Sequence, residues 1–156
     1  MAYHGVELQN SITIGKIFSI HYFEYMSNFS FAGESHNFWE FICVDKGEVG
    51  VTRGKSYTIL KKGDLIFHKP NEFHDVKATG GIAPNLVVIS FECNDDAMYF
   101  FNDRLLQIDE TERNLLANII IEARRCFDCR LDDPYLQNMP LKDPDTFGAQ
   151  QMIKLY

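Results

Sequence analysis

Through the first two thirds of this chain apolar and polar residues alternate in short runs, and through the last third they recur at helical spacing. Residues 12–14 and 17–25 are rich in β-branched and aromatic types, broken by Gly15, and predict strands. Residues 28–37, with Gly33, predict a loop. Residues 38–44 predict a strand, Asp45-Lys46-Gly47 a hairpin turn, and residues 48–52 the returning strand. Arg53-Gly54-Lys55 turns the chain into a strand at 56–60, which Lys61-Lys62-Gly63-Asp64 closes. The next strand, 65–68, stops at Lys69-Pro70-Asn71-Glu72, since proline has no amide to give a central ladder. Strands at 73–77 and 86–91 complete the set, separated by a loop around Gly80, Gly81 and Pro84. Turn signals roughly every ten residues predict an antiparallel sandwich or closed barrel.

From Asp109 the period changes. Asp109 and Glu112 stand at capping-box spacing, and Leu115, Leu116, Ile119, Ile120, Ala123 and Phe127 form one apolar stripe of a helix running to about Cys126. Residues 130–146 hold Pro134, Pro140 and Pro144 and predict an irregular connector. Residues 147–156 resume helical composition and stop on apolar residues without a cap, the pattern of a chain interrupted partway. No internal repeat or low-complexity segment is present.

At 156 residues with 46% hydrophobic and 24% charged positions, the chain has the composition of one soluble domain with a core. No apolar run approaches the roughly 18 residues of a membrane span, and residues 1–7 lack a basic, apolar leader; the expectation is a cytoplasmic protein. A net charge of -7 argues against this segment gripping nucleic acid, and the acids between Glu92 and Glu112 predict a solvated face. Cys43 and Cys93 sit in apolar runs as small hydrophobes. Cys126 and Cys129 form C-x-x-C at the end of a helix, not at its start where the dipole activates a thiol, and no partner pair follows to complete a zinc site. No Ser-His-Asp, P-loop or dinucleotide glycine pattern occurs.

His36 comes four residues before Glu40, and His74 follows the turn at Pro70. Residues four apart on a strand share a face, so His36 and Glu40 are expected to point inward together. Glu40 followed by Gly47 resembles the end of the first cupin motif, and the run from Gly63 to His74, with Pro70, resembles the second. More narrowly, HNFWEFICVDKGEV, KKGDLIFHKPNEFH and LVVISFE resemble the ligand-binding domain of AraC-type transcription regulators over about residues 10–127. The resemblance implies a mostly β fold: a cupin barrel followed by C-terminal α-helices.

Mapped by motif, the metal positions of cupins fall on Glu34, His36, Glu40 and His74, a donor set suited to a first-row divalent ion. Regulators of the resembled family generally keep the motif without metal, so the expectation is no metal, no cofactor and no catalytic residue. In the arabinose-sensing members the sugar-contact positions match Val76, Leu86 and Val88. All three are apolar here, so the same sugar is not expected: hydroxyls left unpaired in such a site each cost about 1–3 kcal/mol. The expected ligand-binding set is His36, Glu40, His74, Val76, Leu86 and Val88; the pocket is either apolar or takes polar contacts from Tyr22, His36, Glu40 or His74.

The domain plan implied is an arm at 1–11, a barrel sensor at 12–94 and a helical dimerisation segment at 95–156, pairing two copies through Leu115, Leu116, Ile119 and Ile120. The function implied is non-enzymatic: a small effector binds in the barrel of a bacterial homodimer and controls helix-turn-helix DNA-binding domains lying outside this sequence. The alternative is a metal-dependent cupin enzyme, an isomerase or oxygenase. The arm either covers the pocket, as in the arabinose-sensing members, or is a disordered terminus.

Overall fold

The computed structural model describes residues 2–142 and 147–156; Pro144, in the expected connector, lies outside the described residues. Strands β1 (Ile17–Glu24), β8 (Asn85–Phe91), β3 (Trp39–Lys46), β6 (Asp64–His68) and β9 (Leu105–Gln107) form one sheet in that order. Strands β2 (Ser30–Glu34), β7 (His74–Ala78), β4 (Glu48–Arg53) and β5 (Ser56–Lys61) form the other, and every pairing is antiparallel. A 3-10 helix (Asp96–Phe101) and helices α1 (Glu110–Cys126) and α2 (Ala149–Leu155) follow. The architecture is mostly β, a cupin barrel with short C-terminal helices. Among the described residues, no helix is long and apolar enough to cross a membrane.

Side-chain alternation divides the first sheet into two faces. Phe23, Ile42, Val44, Ile66, Leu86 and Val88 join Val49, Val51, Leu60 and Val76 of the second sheet in a core between the sheets. The opposite face, through Ile20, Cys43, Leu65, Val87, Ile89 and Phe91, packs with Ile120, Ala123 and Cys126 of α1 and Ile153 of α2. Burial on both faces is why β8 reads as an almost unbroken apolar run. α1 begins with the expected capping box: Asp109 accepts from the Thr111 amide at 2.7 Å, and Glu112 accepts from the Asp109 amide at 3.0 Å.

Several expectations change. The turn at Asp45-Lys46-Gly47 is no hairpin, because β3 and β4 lie in different sheets. Gly47 (φ 77°) turns a corner between the sheets, and Gly63 (φ 89°) turns the chain back. Residues 12–14 form no strand: Ile12 and Ile14 pack on the outer core while the Thr13 amide donates to Asp95 at 2.6 Å. The expected loop at 28–37 contains β2, which pairs with β7. The barrel sheet does not end at residue 94, since β9 pairs with β6. The expected dimer set is also divided. Ile120 is only 6% exposed and, with Leu116 and Ile119, packs on the protein's own core, leaving Leu115 at 36% exposure to face outward.

Candidate functional site

Between the sheets is a cavity of about 400 Å³. β1 contributes Ser19, His21 and Phe23, and β8 contributes Leu86, Val88 and Ser90 on the same inward register. β3 adds Glu40 and Ile42, and β7 adds His74 and Val76. All six expected ligand-binding residues therefore line one cavity. Tyr22 does not: its hydroxyl points outward and donates to Asp45 at 3.1 Å, while its strand neighbour His21 faces in. Aromatic rings wall the mouth, with Phe18 stacked on Phe38 at 4.0 Å and Tyr25 on Phe29 at 3.4 Å. The described arm residues, 2–11, do not line the cavity; Pro134, Tyr135, Leu136 and Gln137, from the chain after α1, do.

The polar end is built around Glu40, which is buried. Its Oε2 accepts a hydrogen bond from the Ser90 hydroxyl at 2.7 Å, and Ser90 also accepts from the Ser19 hydroxyl at 2.9 Å. His36 Nε2 lies 3.6 Å from one Glu40 oxygen and His74 Nε2 lies 3.3 Å from the other. Burial pushes the Glu40 carboxyl up, but His36, His74 and Ser90 outweigh it and hold the group well below the ordinary carboxylate range. For His74, burial acts downward, yet the contact with Glu40 prevails and its pKa is raised.

His36 reaches this site by a different route from the one its spacing suggested. It lies in the irregular link between β2 and β3, not on the strand that carries Glu40. Its ring stacks on Phe38 at 3.9 Å and its Nδ1 bonds the Phe38 carbonyl at 3.0 Å. His74 Nδ1 likewise bonds the Glu72 carbonyl at 3.0 Å. Behind it, fully buried His68 stacks on His74 at 4.2 Å and 14°, fixing the ring plane. Burial first, and His74 second, lower the His68 pKa to about 3.

These contacts bear directly on whether a metal fits. A carbonyl only accepts, so each Nδ1 carries the hydrogen, and a neutral ring then presents a bare lone pair at Nε2. Among the described residues, neither of these buried Nε2 atoms has a hydrogen-bond partner. Lone pairs facing carboxylate oxygens repel unless a proton or a cation stands between them. One ligand atom from each of Glu34, His36, Glu40 and His74 lies within 4.8 Å of the other three. Backbone carbonyls on the far ring nitrogens are the outer shell that orients metal-binding histidines. The four residues fit a divalent ion.

The lining residues missed by sequence reasoning include the polar Ser19, His21 and Ser90, the aromatic wall from Phe18 to Phe38, and residues 134–137. The inward serines follow from strand parity once Glu40, paired with Ser90, is taken as facing in. Pro134-Tyr135-Leu136 is one of two short apolar clusters in the connector, beside Met139-Pro140-Leu141, a weak signal.

No curated protein matches the chain. Similar solved structures include a conserved protein of unknown function, SPY1581, from Streptococcus pyogenes, at 14% identity and TM-score 0.44 over 47% of this chain and 62% of that one. The Cnp3 cupin domain of Schizosaccharomyces pombe aligns at 14% identity and TM-score 0.46, over 52% and 58%. A predicted oxalate decarboxylase from Thermotoga maritima aligns at 18% and 0.45, over 47% and 64%. The chain thus spans less than two thirds of each. The family model of the AraC-like ligand binding domain matches residues 18–100, from the cavity-lining Phe18 through the last residues of β8 and most of the 3-10 helix, more than half of the chain. On that match the chain belongs to the AraC-like ligand binding domain family.

Proposed function

We propose that this chain is the effector-sensing and dimerisation part of an AraC-family transcriptional regulator of the bacterial cytoplasm, taking a small molecule into the barrel to control attached helix-turn-helix domains. The observation that carries this reading is the cavity: about 400 Å³, aromatic at its mouth, aliphatic along Val76, Leu86 and Val88, and polar at Glu40. That is the size and composition of a site for a small organic ligand, with few polar groups fixing its orientation. Among the described residues, no Lys or Arg lines it, and Glu34 and Glu40 do, so its field favours neutral or cationic effectors over anions. Coupling requires only that the effector bind one arrangement of the dimer better than another.

The test is a thermal-shift screen of small amines, polyols and aromatic alcohols on the wild type and on Val88→Phe, which fills the cavity. A compound that raises the melting temperature of the wild type alone supports the reading. Compounds that stabilise both proteins equally contradict it.

A second reading, a metal-dependent enzyme, is favoured by the two orphaned Nε2 atoms beside Glu40. A bound ion there would supply Lewis acidity, with Glu34, His36, Glu40 and His74 holding it. Elemental analysis of purified wild type and His74→Ala separates the two: stoichiometric Fe, Mn or Zn lost in the variant favours the metal site.

A further inference from the structure

After α1 the chain from Phe127 to Lys142 is tied at its neck and reaches the cavity at its tip. Phe127 bridges Leu141, the Asp128 amide donates to the Pro140 carbonyl at 2.9 Å, and the Lys142 amide donates to the Cys126 carbonyl at 2.8 Å. Lys142 Nζ donates to the Arg124 carbonyl at 2.7 Å. The two Lys142 bonds occupy carbonyls of the last turn of α1, which the helix itself leaves unsatisfied. Midway, the Leu131 carbonyl accepts from the Tyr22 amide of edge strand β1 at 3.0 Å, and the Leu131 side chain is buried beside Ile120, Ala123 and Cys126. The tip is braced within itself: the Tyr135 amide donates to Asp133 at 2.9 Å and the Leu136 amide to the Asp133 carbonyl at 3.3 Å. It nonetheless contributes Pro134, Tyr135, Leu136 and Gln137 to the cavity wall, with Tyr135 81% exposed.

We infer that residues 130–137 are an effector-contacting strap, which closes on a ligand in the cavity and passes occupancy to the C-terminal turn of α1. This rests on the cavity being the effector site. An apolar ligand at the mouth covers exposed surface of Tyr135 and Leu136, and ordering of the tip tightens a loop whose neck caps α1. The arm is the obvious rival for this task, but residues 2–11 are exposed and none lines the cavity. The loop that carries the strap makes both contacts at once, cavity through residues 134–137 and α1 through Phe127 and Lys142, which is what coupling by a shared two-state element needs.

The test uses N-phenyl-1-naphthylamine, a neutral aromatic probe that brightens in apolar sites, with fluorescence titration and hydrogen exchange. Tyr135→Ala alters an exposed side chain and retains the fold; it should weaken probe binding about tenfold. In the wild type the probe should slow exchange at Tyr135 and Leu136, and also at Phe127, Lys142 and the last turn of α1. In Tyr135→Ala at saturating probe, slowing in β8 should persist while slowing at α1 is lost. Binding blocked by Val88→Phe but indifferent to Tyr135→Ala, or protection appearing in residues 2–11 instead, overturns the strap alone. Binding that survives Val88→Phe overturns the cavity reading and the strap with it.

Discussion

Leu86→Ala probes how a packed core and an open cavity share one strand. Leu86 is fully buried in β8, paired with Phe23 of β1 and Val44 of β3, and lines the cavity. Truncation removes three buried carbons, about 2.4 kcal/mol at ~0.8 kcal/mol each. Empty space left behind adds about 24 cal/mol per Å³. Here that space merges with an existing cavity, so the added term is small and the expected loss is about 2–3 kcal/mol. Leu60 is equally buried in the same core but off the cavity wall. Leu60→Ala has no such relief and should cost roughly 3–5 kcal/mol. Urea unfolding with an unchanged slope reads both. A Leu86→Ala loss exceeding that of Leu60→Ala, or both below about 1 kcal/mol, would refute the division of β8 between core and cavity.

Gly33 has φ 96°, and a Cβ there would sit 2.7 Å from the His74 carbonyl oxygen; Gly33→Ala should cost about 1–3 kcal/mol, and a wild-type unfolding midpoint would contradict that backbone path. Burial holds the His21 imidazole below its ordinary value, against Leu131 and Glu40, which act upward. The unfolded ring titrates near 6.5, so unfolding takes up a proton in acid. Stability from this group is present above about pH 6.5 and is lost as pH falls towards the folded value, by at most ~1.4 kcal/mol per pH unit. His21→Asn should flatten urea stability measured from pH 7.5 to 5, and parallel curves would argue against a buried neutral His21. Ile120→Glu, placing a carboxylate in the outer core, should cost more than about 3 kcal/mol. In the proposed dimer, Leu115→Glu should leave the fold intact and shift sedimentation from dimer to monomer; a persistent dimer would move the interface off this face of α1, and a monomeric wild type would contradict the dimer itself.

The barrel was legible where burial is one-sided or doubled and where turns carry glycine or proline. β8 announced itself through apolar residues on both faces, and α1 through its capping box and stripe. β2 and β9 were not legible, because Ser30–Glu34 and Leu105–Gln107 are short edge strands whose pairing is set by partners distant in sequence. The corner at Gly47 looked like a hairpin because local turn chemistry does not say which sheet the next strand joins. At the site, motif spacing placed His36, Glu40 and His74 around one point, but which face of β1 turns inward was not legible, since its register is fixed only by pairing with β8. The stripe on α1 showed that the helix buries a face; whether it faces its own sheet or a second copy is a tertiary fact.

The most direct test of the central claim, that the effector occupies the barrel interior, is a methyl-resolved NMR titration with the best thermal-shift compound. Val76, Leu86 and Val88 share the cavity wall, while Val87 and Ile89 sit on the opposite face of β8 beneath the helices. The account predicts large shifts and ligand-to-methyl contacts at Val76, Leu86 and Val88, with no ligand contact at Val87 or Ile89. Ligand contacts confined to Val87, Ile89 or Leu115 would place the ligand outside the barrel and contradict it.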